Sequence, residues 1–282
     1  MLFLRSAAFN LAWYVNLVVQ MLVQAPYYFL VSHRASVNVV QRWAGSNHVL
    51  QRWLAGTRVE WQGLENVPKG AAIIASKHQS IWEFYAVHHT LDDPAFVLKH
   101  DLMRIPLFGW YVAKTRHIPI RRGDRSKALR EMMRVARERV NDGRQILIFP
   151  EGTRKAPGAE PDYRYGVVRM YTQLGVPVAP VALVSGLYWP RRQFARHPGT
   201  LRARYMPPIE PGMAEDAFHA HLREVIEMNT EDLYLQTSLD PVHPPLNAEV
   251  RAAIERAKTR RRERGLPTDR HDDTPIMPLG EG

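Results

Sequence analysis

Four polar clusters, each at the edge of an apolar run, carry the residue types that could do chemistry. The first is Lys77-His78-Gln79-Ser80-Ile81-Trp82-Glu83. A histidine and a carboxylate five positions apart suggest a base and its orienting partner. Within one regular helix they would sit about 140° apart, too far round to pair. They meet if His78 lies in the turn before a helix and Glu83 one turn inside it. The imidazole can then take a proton while the carboxylate fixes its tautomer and stabilises the imidazolium. The second cluster is Phe149-Pro150-Glu151-Gly152-Thr153-Arg154. Gly152 permits a tight turn, Arg154 offers a planar fork of donors suited to phosphate, and Glu151 can orient an arginine. The third, Ile118 to Asp124, places Arg121 and Arg122 at a strand end. The fourth is Val176-Pro-Val-Ala-Pro-Val181, whose prolines, Pro177 and Pro180, suit a sheet edge or a site wall better than a central strand. Each cluster alone also has an ordinary reading. The chain holds 12 histidines, so a surface or satisfied core histidine is the default, and polar or basic turns commonly follow strands.

Other chemistries lack their residues. Cysteine is absent, which removes a disulfide framework, a thiolate zinc site and a cysteine nucleophile. No metal is expected, because His88-His89 and His219-x-His221 lack a third ligand at a telling spacing. Neither a G-x-G-x-x-G nor a P-loop occurs, and no G-x-S-x-G elbow surrounds Ser80.

The elements that must position these clusters alternate. Residues 71–76 read as a buried strand, 81–90 as a helix, 95–98 as a strand, 106–114 as a helix and 117–120 as a strand. The spacing of Leu129, Met132, Val135, Ala136 and Val140 predicts a helix over 124–141, capped by Asp124 and ended by Gly143. Strands follow at 145–149, 176–184 and 201–205, then a helix over 214–239. This alternation predicts an α/β fold, a largely parallel central sheet flanked by helices.

Ahead of it, no charged residue lies between Arg5 and Arg34. That run is long enough to cross a bilayer, which takes roughly 20 apolar residues. Yet Asn16, Gln20 and Gln24 recur every four residues on one face. A spanning helix would bury that stripe against a partner, whereas an interfacial helix would turn it toward water or protein. An amphipathic segment follows, so 1–56 is read as a two-helix membrane-attachment unit, 57–245 as the α/β domain, and 246–282 as a basic helix with a tail. The tail's Pro, Gly and Asp content predicts that it cannot order itself.

Lys plus Arg is 38 against 28 for Asp plus Glu, a net charge of +10. The stretch from Lys114 to Lys155 alone carries a net of +8. An anionic partner is implied, whether anionic lipid, nucleic acid or a phosphorylated substrate.

In order along the chain stand KHQSIWE, IPIRR, FPEGTR and VPVAPV. This set resembles the ordered blocks of the glycerolipid acyltransferases, most closely the bacterial 1-acyl-glycerol-3-phosphate acyltransferases. The likeness covers about residues 60–205. It implies transfer of a fatty acyl group from acyl-CoA or acyl-carrier protein to the free hydroxyl of 1-acyl-glycerol 3-phosphate, giving phosphatidic acid. By this likeness His78 is the general base and Glu83 its partner. Arg122, then Glu151, Gly152, Thr153 and Arg154, and then Pro180 fall in the substrate-binding blocks. No cofactor is implied, since a thioester needs only a deprotonated alcohol, close placement and oxyanion donors. The likeness also implies an anionic membrane surface as partner, no nucleic acid, and residence at the cytoplasmic face of a bacterial inner membrane. Three positions depart from the family's usual pattern: Glu83 where Asp is common, Lys77 for Asn, and Arg121 for an acid. Two other readings remain. One is acylation of a different lysolipid, such as a lyso-amino-acid lipid. The other is a non-catalytic basic protein bound to anionic membrane or nucleic acid, which explains the charge but not His78, Glu83 and FPEGTR together.

Overall fold

The structure is a computed structural model that describes residues 1–121 and 125–278. The chain opens with α1 (Leu2–Leu30) and α2 (His33–Leu50), the second extended by a wide π turn over Gln51–Ala55. Gly56, at φ 75°, takes the left-handed conformation that ends it. Then come β1 (Thr57–Gln62), β2 (Ala72–Ser76), α3 (Trp82–Thr90), β3 (Pro94–Lys99), α4 (Phe108–Lys114), β4 (Ile118–Ile120), α5 (Arg125–Asn141) and β5 (Gln145–Ile148). The chain continues through α6 (Gly166–Leu174), β6 (Val178–Leu183), α7 (Ser185–Tyr188), β7 (Gly199–Tyr205), α8 (Glu215–Ser238) and α9 (Ala248–Glu263).

The strands form one sheet in the order β1-β7-β6-β2-β5-β3-β4. Every pair is parallel except β6 with β7. β2 lies between β5 and β6, and all five of its residues are buried. An unbroken small-and-apolar run, Ala-Ile-Ile-Ala-Ser, is what a strand covered on both faces requires. Because β2, β5 and β6 run parallel in register (Ala75 beside both Ile148 and Pro180), their exits open on one edge of the sheet. In open α/β sheets that carboxyl edge is where sites are built.

Pro180 corrects the expectation of a sheet edge or site wall. It is buried in β6, an interior strand, beside Ala75 of β2. The reason is local. The Pro180 carbonyl accepts from Met206 N at 3.1 Å, so its missing N–H also points toward the chain leaving β7. There the ladder slips by one residue, resuming at Val178 with Ile209. The absent donor thus falls where the ladder is already interrupted.

The tail also differs from expectation as far as residue 278. Asn229 on α8 bonds the backbone of Ile276 twice, at 2.8 and 3.0 Å, and Ile276 is buried. Gln236 donates to the Asp272 carbonyl at 2.7 Å. Side-chain amides on α8 satisfy tail backbone groups that composition alone leaves without partners.

α1 lies lengthwise against the body. Near its start Arg196 N donates to Ser6 Oγ at 2.9 Å and Asn10 donates to the Phe194 carbonyl at 3.0 Å. Near its end the Tyr28 hydroxyl donates to the Tyr111 carbonyl at 2.8 Å. The stripe of Asn16, Gln20 and Gln24 faces α2: Asn16 donates to Ser46 and Asn47, and Gln20 to Ser46. The other face, with Leu11, Val15, Val18 and Leu22, is exposed.

Candidate active site

The β2 exit turns sharply, and α3 begins at Trp82. Glu83 therefore sits in the first turn of the helix with His78 in the turn before it. His78 Nδ1 lies 3.0 Å from Glu83 Oε2. The carboxylate is fully buried and accepts further bonds from Gln79 N (3.2 Å), Ser80 N (2.9 Å) and the Ser185 hydroxyl. So many donors hold its oxygens at a fixed place. Nδ1 must then carry a hydrogen, and Nε2 is left with its lone pair. No hydrogen-bond partner meets Nε2 among the described residues. Phe149, just after β5, stacks on the imidazole at 3.9 Å between centroids, so the ring cannot swing.

The second cluster locks onto the first. Glu151 accepts the His78 backbone N–H at 3.0 Å and the Lys77 ammonium at 3.0 Å. Lys77 also reaches Glu227 of α8 at 2.6 Å. Burial pushes the Glu151 carboxyl above its ordinary value, and Lys77 opposes that. Glu151 thus holds the backbone of the histidine directly with one oxygen and Lys77 with the other. It does not orient an arginine, because the lysine reaches it first. Gly152 sits at φ 62°, and its N–H closes the turn onto the Phe149 carbonyl.

Thr153 and Arg154 line a cavity of about 540 Å³ together with His78. Its walls are largely apolar: Ile81, Phe84, Phe96, Leu98, Phe108 and Phe149 contribute, and Leu17 of α1 and Trp43 of α2 close one side. Leu17, Trp43, Phe84 and Phe108 also line a smaller void of about 60 Å³ between α1, α2 and α4. The Arg154 guanidinium has no hydrogen bond or ion pair to any described residue. Burial, then neighbouring Arg191, lowers its pKa from the ordinary value. Of the expected site residues, His78, Glu83, Glu151, Gly152, Thr153 and Arg154 come together. Pro180 lies behind them in the sheet, and Arg122 falls outside the described residues, although β4 ends at Ile120 on this edge.

Residues 58–184 match the family model described as Acyltransferase. The chain is 38% identical over 164 residues to a 1-acyl-sn-glycerol-3-phosphate acyltransferase of Pseudomonas aeruginosa, covering 58% of this chain and 64% of that protein. It is 28% identical over 158 residues to a protein of the same description from Limnanthes alba, covering 56% of each. The matched part therefore spans less than two thirds of these relatives. The crystal structure of the 1-acyl-sn-glycerophosphate (LPA) acyltransferase from Thermotoga maritima superposes with a TM-score of 0.69 at 23% identity, over 82% of this chain and 95% of that one. At that identity the likeness bears on the fold.

Several residues escaped the sequence reading. Ser185, on the Glu83 carboxylate, and Arg191, on the cavity wall, lie just beyond the stretch matched by the family model. Ser185 could have been found, since it leaves β6 as His78 leaves β2. Glu227 could not, because nothing local in α8 marks it as the partner of a lysine 150 residues away. Among the described residues, no group of three or more His, Asp or Glu is placed to hold a metal.

Proposed function

We propose that this protein transfers a fatty acyl group from a thioester, acyl-CoA or acyl-carrier protein, to the free hydroxyl of 1-acyl-glycerol 3-phosphate, giving phosphatidic acid. The observation that carries this reading is the His78–Glu83 pair at 3.0 Å, opening on an apolar cavity beside the Arg154 guanidinium, which makes no ion pair with any described residue. The acceptor hydroxyl gives its proton to His78 Nε2 as its oxygen attacks the thioester carbonyl. Glu83 stabilises the imidazolium so formed. The tetrahedral intermediate collapses, the C–S bond breaks, and the proton passes from His78 to the departing thiolate. No serine is positioned as a nucleophile: Ser185 bonds the carboxylate, and Ser80 Oγ accepts Trp82 N. Direct transfer fits such a site better than an acyl-enzyme. Arg154 would receive the acceptor's phosphate and the apolar walls an acyl chain.

The attachment reading rests on α1. Its contacts with the body at Ser6 and Tyr28 are 22 residues apart, roughly 33 Å of helix. That is about the thickness of the hydrocarbon core, so α1 could not cross a bilayer without drawing the body in with it. An in-plane helix, exposed face in the lipid and cavity at the interface, fits this contact pattern. On the cytoplasmic face of a bacterial inner membrane, both donor and acceptor would meet there.

The test is an acceptor panel with one labelled acyl-CoA and purified protein in vesicles. Phosphatidic acid formed from lysophosphatidate is the expected product. Preferential acylation of another lysolipid would replace the acceptor, and absence of thioester consumption with every acceptor and with either donor would overturn the reading.

A further inference from the structure

A second cationic arm reaches the cavity from beyond the stretch matched by the family model. After α7 the chain turns through Pro190, Arg191 and Arg192 before it enters β7. Arg191 lines the same cavity as His78 and Arg154. Its Nη1 donates to the Arg154 carbonyl at 2.9 Å, so this loop is fastened to the turn that follows β5. Arg192 beside it is held at φ 58°, a left-handed conformation uncommon for a residue with a side chain. Neither arginine has a carboxylate partner among the described residues. Glu83, the acid that acts on Arg154, is already engaged by His78, Ser80 and Ser185. Both Arg191 and Arg192 act on Arg154 to lower its affinity for a proton, so the three charges feel one another. Like charges gathered beside an apolar cavity repel. An anion bound among them would remove the repulsion and gain charge-assisted hydrogen bonds.

We infer that Arg191 and Arg192 form the second half of a phosphate cradle whose first half is Arg154, so that the acceptor's phosphomonoester is gripped between the loop after β5 and the loop after α7. This rests on the function proposed above. It adds a source of specificity. A terminal phosphomonoester presents three oxygens and close to two charges, enough to engage guanidinium groups from both loops. A phosphodiester lysolipid presents two free oxygens and one charge and would satisfy one loop only. The same phosphate chemistry is present in the coenzyme-A donor, and the experiment must separate the two sources.

The experiment uses full-length protein carrying Arg191→Gln, and separately Arg192→Gln, with lysophosphatidate and acyl-CoA varied in turn. Losing a charged hydrogen bond corresponds to roughly ten- to a hundred-fold in binding. The expected result for Arg191→Gln is a lysophosphatidate KM raised about tenfold or more with the acyl-CoA KM and kcat within twofold. The ratio of lysophosphatidate to lysophosphatidylglycerol turnover should fall in parallel, because the second acceptor never used the second loop. Arg192→Gln, exposed and not fastened to the Arg154 loop, should show the same split with no change in melting temperature. An acceptor KM unchanged in both variants overturns the cradle, as does a rise confined to acyl-CoA, which would give the arginines to the donor. Calorimetric titration of wild type and Arg191→Gln with soluble short-chain lysophosphatidate keeps the two proposals apart. Wild-type binding that weakens in the variant, without any lysophosphatidate turnover, sinks the reaction and keeps the cradle. Turnover with equal binding in both proteins does the reverse.

Discussion

Glu83→Gln tests the proposed base, His78, with almost no change of shape. The carboxylate of Glu83 accepts Gln79 N at 3.2 Å, Ser80 N at 2.9 Å and the Ser185 hydroxyl, and it faces His78 Nδ1 at 3.0 Å. A glutamine amide has one accepting oxygen and one donating nitrogen. If the nitrogen faced Gln79 and Ser80, donors would oppose donors at a fully buried place, costing about 1–3 kcal/mol for each bond lost. The oxygen should therefore stay with the backbone, and the nitrogen should turn to His78. An N–H facing Nδ1 forces the hydrogen onto Nε2, so the atom that should accept the substrate's proton already carries one. A positioned base is worth about a hundred- to ten-thousand-fold in rate. The variant should lose that factor in kcat, equivalent to about 3–5 kcal/mol of barrier, while the acceptor KM moves little. The assay is steady-state acyl transfer across pH, with circular dichroism to show an intact fold. A variant that keeps more than a tenth of the wild-type kcat and the same pH profile would refute the argument that the carboxylate sets the tautomer.

Three further outcomes are expected. Lys77→Met should destabilise the fold by about 3–5 kcal/mol, since Glu151 and Glu227 would face each other without the charge between them; thermal melts would read this, and an unchanged melting temperature would mean that the acids take up protons instead. Stability should fall with acid because of His88, whose pKa burial lowers to about 4 from 6.5 and whose ring nitrogens lack partners among the described residues. The unfolded chain protonates first as pH drops below about 6.5, so the loss develops between about 6.5 and 4 and reaches roughly 3 kcal/mol; denaturant midpoints at pH 7.5 and 5 should differ in wild type and differ less in His88→Leu. Replacing the exposed stripe Leu11, Val15, Val18 and Leu22 by serine should shift the protein toward the soluble fraction without unfolding it, because none of the four is buried in the body; sedimentation with vesicles decides, and unchanged partitioning would remove α1 as the attachment surface.

What was legible follows from where the information sits. The strands β2 and β5 announce themselves because they are buried on both faces, so every residue but Gln145 is apolar or small and the run needs no partner to be seen. β1 was missed for the opposite reason. Thr57-Arg-Val-Glu-Trp-Gln62 is mostly polar, and its strand character comes from pairing with β7, whose paired residues lie more than 140 positions further along. The His78–Glu83 distance was readable because both ends lie in one seven-residue segment and helical geometry leaves one way to join them.

The side chains that fix the pair from outside its own segment are remote, and this is why the sequence misassigned Glu151. A carboxylate beside Arg154 in the chain suggests a local pair, but a sharp turn at Gly152 sends the two side chains apart. Glu151 is carried to the backbone of His78, where burial makes an uncompensated charge costly. Lys77 answers that cost from the next residue along, and Glu227 in turn anchors Lys77 from α8. The position of His78 thus depends on a helix outside the stretch matched by the family model. A lysine before the histidine is tolerated here because that helix supplies the second acid, so exchanging Lys77 alone tests the coupling more sharply than exchanging either glutamate.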